Sequence, residues 1–182
     1  KGALDANTSD EKSVFFDITS RTFGGYSVLD ERHGKVFTYD RYSNLIYTFG
    51  GLGKIKGTFK TPVALDVLND RILVLDRITG LITIFRETNY ANNIHKAISA
   101  YDKGFYDKSA AIWSKLLEKN PNFELACSGV GKNLLRNDKY KKAMKFFKKG
   151  NNRSNYSEAY SYYRKNIIKD EFSSIIYLFL GI

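Results

Sequence analysis

Two stretches of this chain, residues 28–49 and 64–85, lie over one another without a gap at a shift of 36 residues. Identities fall at Leu29/Leu65, Asp30/Asp66, Asp40/Asp76, Arg41/Arg77, Leu45/Leu81, Ile46/Ile82 and Phe49/Phe85, and Val36/Ile72 and Tyr39/Leu75 keep the alternation going. An alternating pattern that repeats cannot be a helix and a coil by turns. It must be the same small sheet built twice. In the second copy, strands are predicted at 64–68, 71–76 and 81–85, separated by Asn69-Asp70 and Thr79-Gly80, residue types that tolerate positive φ in tight turns. A fourth strand is expected to follow each copy, and "VFFDITSRTFGG", residues 14–25, reads as the remnant of a preceding unit.

A repeat of about 40 residues with about four strands is the signature of a propeller blade. The wording "GTFKTP", "ILVLDR" and "LITIF" closely resembles NHL-repeat blades. Two blades cannot close a propeller, so the resemblance implies that this is part of a larger ring, or that the piece packs on something else. Asp40 and Asp76 end the second strand of each copy. Two roles are open to them: accepting turn N–H groups, or ligating a metal or substrate on the axial face.

From about residue 89 the pattern changes period. Residues 104–122 and 138–150 align at a shift of 34, with Tyr106 over Tyr140, Ser109 over Ala143, Ala110 over Met144 and Trp113 over Phe147. A 34-residue helical period is the tetratricopeptide (TPR) signature. Gly131 takes the small position of that motif, where paired helices approach, and Ala97 stands there in the first repeat. Pro121 stops a helix, and a last helix over 156–172 is expected to cap the array. The fold class is therefore α+β and multidomain: incomplete NHL-type blades over 1–88, a TPR-like array over 89–172, and an apolar tail over 173–182. The tail is either the docking end of the last helix or the start of a transmembrane helix.

Charge separates the same halves. Residues 1–88 hold 12 Lys/Arg against 11 Asp/Glu, and residues 89–182 hold 17 against 8. Nine basic residues and one acid, Asp138, fall between 132 and 153. They form either a solvated face or a surface for an anionic partner: a membrane, an acidic peptide or a cell-wall polymer. Nucleic acid is disfavoured, because arginine is scarce there and no RNA-module motif is present. Lys141, Lys145 and Lys148 share one side of their helix, while Ser128, Lys132 and Arg136 project at i, i+4 and i+8 from another and could hold a peptide carboxylate. These six are the candidate partner-binding residues. The sequence points to no catalytic, cofactor-binding or metal-ligating set. The single cysteine, Cys127, reads as a small buried hydrophobe, and His33 and His95 lie in no recognisable motif.

Blades running directly into helical repeats resemble one bacterial surface family. Its members join a signal sequence, an NHL propeller, a TPR segment and a C-terminal multi-span Yip-type membrane domain, and they are often found in settings linked to carbohydrate uptake. The resemblance spans residues 14–172, carried by "VLDERHGKVFTYD", "GTFKTPVALD" and "KAMKFFKKGNNRSNYSEAYSYYRKNII". It implies a non-catalytic binding or scaffolding module with a protein, peptide or glycan partner, outside the cell at the membrane. Arg164, Lys165 and Lys169 before the tail argue instead for the cytoplasmic face. Two other functions are consistent with the blades: a metal-dependent lactonase-like hydrolase and an RNA-binding surface.

Overall fold

The structure is a computed structural model that describes residues 12–180, with the side chains of 12–172. It is mixed α and β, and falls into two compact units, Lys1–His95 and Lys96–Ile182.

The first unit contains two antiparallel meanders. β1 (Phe15–Ser20), β2 (Tyr26–Asp30), β3 (Lys35–Tyr39) and β4 (Leu45–Gly50) form a sheet in that order, and β5 (Pro62–Leu68), β6 (Arg71–Asp76) and β7 (Ile82–Phe85) form another. The 36-residue repeat is visible in the pairing: Val36 opposes Phe49 as Ile72 opposes Phe85. Asn69 and Asp70 both take positive φ, 49° and 63°, which gives the β5–β6 hairpin the twist its strands need. Leu29, Val36, Leu65, Ile72 and Val74 meet between the sheets, together with Phe59 from the glycine-rich connector. Asp17 in β1 accepts the Leu65 N–H of β5 at 2.7 Å, tying the first sheet to the second.

The expected order of strands is corrected here. The extra strand precedes the first copy instead of following it, and β7 leads straight into a helix. Residues 14–25 are no remnant of another unit: β1 pairs antiparallel with β2, with Ile18 opposite Val28 and Ser20 opposite Tyr26. The cause lies in the turn. Arg21 N–H donates to the Gly25 carbonyl, and a Cβ on Gly25 would stand 2.2 Å from the Tyr39 carbonyl oxygen. Only glycine lets β2 start that close to β3 while β1 folds back.

The second half is helical: α1 (Asn89–Asp102), α2 (Tyr106–Lys119), α3 (Glu124–Arg136), α4 (Tyr140–Lys149) and α5 (Arg153–Leu180). Residues 89–95 of α1 belong to the first unit and the remainder to the second. In the second unit α2 packs on α3, α3 on α4, and α4 on α5. Ser109 donates to the Ala97 carbonyl at 2.7 Å, and both residues are buried. Trp113 and Phe147 fill the helix junctions, 3% and 0% exposed. Each needs a glycine opposite. A Cβ on Gly131 would come within 2.6 Å of the Phe147 ring, and one on Gly129 within 2.4 Å of Trp113, a contact that the sequence reading did not single out. Replacing Gly131 by alanine gains about 1 kcal/mol of helix propensity. The forced repacking around a ring that cannot swing away costs about 1–3 kcal/mol. The expected net result is a loss of up to about 2 kcal/mol, read as a lower midpoint in thermal unfolding.

Among the described residues no helix is long and apolar enough to cross a membrane. The side chains of the apolar tail, 173–182, lie outside the described residues.

Candidate functional site

Asp40 and Asp76, equivalent across the 36-residue repeat, are the first place to look for chemistry, and their oxygens are already engaged. Asp76, 3% exposed, accepts four backbone N–H groups: Lys60 at 2.5 Å, Thr61 at 3.2 Å, and Ile78 and Thr79 at 3.0 Å. Asp40 accepts from Tyr42 N at 2.9 Å, Asn44 N at 2.8 Å and the Asn44 amide at 2.7 Å. Burial pushes the Asp76 carboxyl up, but the four N–H donors outweigh it and hold the pKa below the ordinary value. Asp30 plays a similar part, taking Val14 N, His33 N and the His33 ring, and its pKa is also lowered against burial. Among the described residues no three His, Cys, Asp or Glu side chains converge as a metal site would require.

A second polar cluster carries no sequence signature. Arg21, whose side chain is 1% exposed, pairs with Glu87 at 2.5 Å. The other Glu87 oxygen lies 3.1 Å from His95 Nδ1, and His95 Nε2 lies 3.2 Å from the Tyr47 hydroxyl. Phe23 stacks on the imidazole at 3.8 Å. Burial, helped by the Arg21 charge, lowers the His95 pKa to about 4, so the ring is neutral: Nδ1–H donates to Glu87 and Nε2 accepts from Tyr47. Burial also raises Glu87, in spite of Arg21 beside it. A base this weak is poorly suited to proton abstraction near neutral pH. The cluster ties β4, the β1–β2 turn and the start of α1 together.

In the helical unit the candidate residues separate. Lys132 and Arg136 border a groove of about 480 Å³ together with Tyr101, Tyr140, Glu158 and Tyr162. Both cations are held by rings. Lys132 Nζ sits 5.1 Å from the Tyr101 centroid, and the Arg136 guanidinium lies 3.7 Å from that of Tyr106. Neither forms an ion pair among the described residues. Across the groove Tyr140 stacks on Tyr162 at 5.5 Å, and the Tyr140 hydroxyl donates to Asp138 at 2.6 Å. A guanidinium stacked on an aromatic face keeps its N–H edges free for a carboxylate or phosphate.

Ser128 does not join them. It is 8% exposed, and its Oγ accepts from the Asn152 amide at 3.4 Å. The turn between α4 and α5 closes over it: a Cβ on Gly150 would lie 2.8 Å from that same Oγ. Lys141, Lys145 and Lys148 are exposed on α4 and line no part of this groove, although Lys148 borders a second hollow with Asn151, Asn152 and Tyr156. Cys127 is buried, and burial raises its thiol pKa, which favours the unreactive form.

No protein-family model matches this chain, and no curated protein matches it.

Proposed function

We propose that the chain is a non-catalytic binding and scaffolding module, part of a bacterial membrane-associated surface protein, in which NHL-type propeller blades present a TPR-like array that takes a carboxylate-bearing peptide. The observation that carries the binding role is the pair of ring-held cations, Lys132 and Arg136, neither in an ion pair among the described residues, in one groove that Asp138 and Glu158 also border. Holding a long side chain in place before the ligand arrives removes part of the entropy cost of binding. The weak base at His95 favours binding over hydrolysis.

The blade reading is supported by the faces of the sheets. β6 and β7 place Leu75, Ile82 and Ile84 on the side away from the core, 37%, 57% and 55% exposed. The first sheet does the same with Phe15 and Ile18, 60% and 62% exposed, beside Val28 and Phe37. A two-layer sandwich turns polar residues outward. Sheets that are apolar on both faces suit a stack that continues, as blades do around a ring.

The test is fluorescence polarisation of the full chain with an acidic peptide bearing a free C-terminal carboxylate, against its amidated form. The free form is expected to bind, and the double change Lys132→Glu and Arg136→Glu to weaken it by at least about tenfold, the value of one lost charged hydrogen bond. Equal binding of the free and amidated peptides, or no effect of the double change, counts against the groove.

A further inference from the structure

α5 has 28 residues and is therefore about 42 Å long. α4, against which it packs, has only 10. The contact is made by the first part of α5, where Tyr156 packs against the cluster of Ala143, Phe147 and Ala159. Every residue from 164 to 172 is exposed, so this stretch of helix projects beyond its support. Lys165, Ile168, Lys169 and Phe172 stand at i, i+3, i+4 and i+7, which places two lysines and two large apolar side chains on one face. Ile168 is 58% exposed and Phe172 60%. Asp170 and Glu171 fall on other sides of the helix.

From this juxtaposition we infer that the projecting segment of α5 docks on an anionic lipid surface, with Ile168 and Phe172 inserted at the headgroup level and Lys165 and Lys169 against the phosphates. A face that interleaves lysine with isoleucine and phenylalanine suits an interface where stems and rings leave water while ammonium groups remain hydrated. Charge selects among the possible occupants. The second unit carries 17 Lys/Arg against 8 Asp/Glu, a net of +9, so a second copy would bring +9 against +9. An anionic bilayer complements the same charge. The inference rests on the membrane-associated part of the reading above and not on the groove.

Co-sedimentation of the full chain with phosphatidylcholine vesicles, plain or carrying about one-third phosphatidylglycerol, tests it. Binding is expected to the anionic vesicles only, falling steeply as salt rises from about 0.1 M to about 0.5 M. The pair Lys165→Glu and Lys169→Glu should weaken it at least tenfold, and so should Ile168→Asp with Phe172→Asp. These four positions are exposed, and unchanged circular dichroism will show that the fold survives. The groove variant Lys132→Glu/Arg136→Glu keeps a substantial share of the vesicle binding, whereas the acidic peptide remains bound by the α5 variants, so each failure points to its own surface. Equal binding to neutral and anionic vesicles overturns the proposal. So does a dimer in sedimentation velocity that Phe172→Asp dissolves, or an acidic protein probe that competes only through Phe172 while vesicles do not bind.

Discussion

Replacing Asp76 by alanine is expected to cost the first unit about 3–5 kcal/mol, a large share of the about 5–15 kcal/mol that a small domain holds in all. Four backbone N–H groups converge on this one carboxylate, from the segment before β5 and from the turn after β6. Without it, four donors in part-buried hydrogen bonds lose their shared acceptor, at about 1 kcal/mol or more each, and the losses do not simply add. The lowered pKa gives the same result a pH signature: the stabilisation is present above the ordinary value of 3.8 and is lost as pH falls through the lower folded value. Asp66 is the control. It is exposed, and among the described residues its carboxylate accepts only the N–H of its neighbour Val67 at 2.7 Å, so Asp66→Ala should stay within about 0.5 kcal/mol of the parent. Urea unfolding followed by circular dichroism reads both. A loss below 1 kcal/mol for Asp76→Ala would remove the turn-fixing role.

The same pair of aspartates marks how far the sequence could be read. Alternation and turn chemistry are local, so the strands around Asn69-Asp70 and Thr79-Gly80 are legible within a residue or two. The helix starts at Tyr106 and Tyr140 and the buried knobs Trp113 and Phe147 follow from the 34-residue shift, because a repeat places equivalent side chains at equivalent depths. Identity across a repeat says less about environment. Asp30 is fully buried and engaged by His33, whereas its counterpart Asp66 faces solvent. Sequence patterning assigns residues 14–25 to a preceding unit because pairing is set by a turn whose decisive property, the missing Cβ of Gly25, concerns a neighbour 14 residues away. Ser128 shares a helical face with Lys132 and Arg136, but the turn at 150–152 covers it, and no helical spacing contains that turn. Arg21, Tyr47, Glu87 and His95 are drawn from turn, strand, connector and helix. Separations of 48 and 66 residues leave no motif to find.

That last cluster sets the pH response of the first unit. The folded His95 pKa of about 4 stands below the ordinary 6.5, so between these values the unfolded chain binds a proton that the folded chain refuses. Stability conferred by the neutral ring is therefore complete above pH 6.5, declines as pH falls from 6.5 towards 4, and changes little further below that. The expected loss over that window is about 2–3 kcal/mol, after some allowance for screening of a group that retains slight access to water. Glu87 works in the opposite sense. Its raised pKa makes the folded state take up a proton at a higher pH than the unfolded chain does, which offsets part of the decline at the acidic end. Asp30 and Asp76, both lowered, enter only below 3.8. The decline that remains comes from the imidazole, with Arg21 and Phe23 facing it from the β1–β2 turn, Tyr47 from β4, Glu87 from the connector and Asp70 from the β5–β6 turn. His95→Gln keeps a donor for Glu87 and an acceptor for Tyr47 but has no proton to take up. Its urea midpoint should hold or rise slightly, through Glu87, as pH falls from 6.5 to 4.5 while that of the parent falls. Parallel profiles for the two proteins would mean that the proton is taken up elsewhere, and that the cluster holds α1 to the strands without sensing pH.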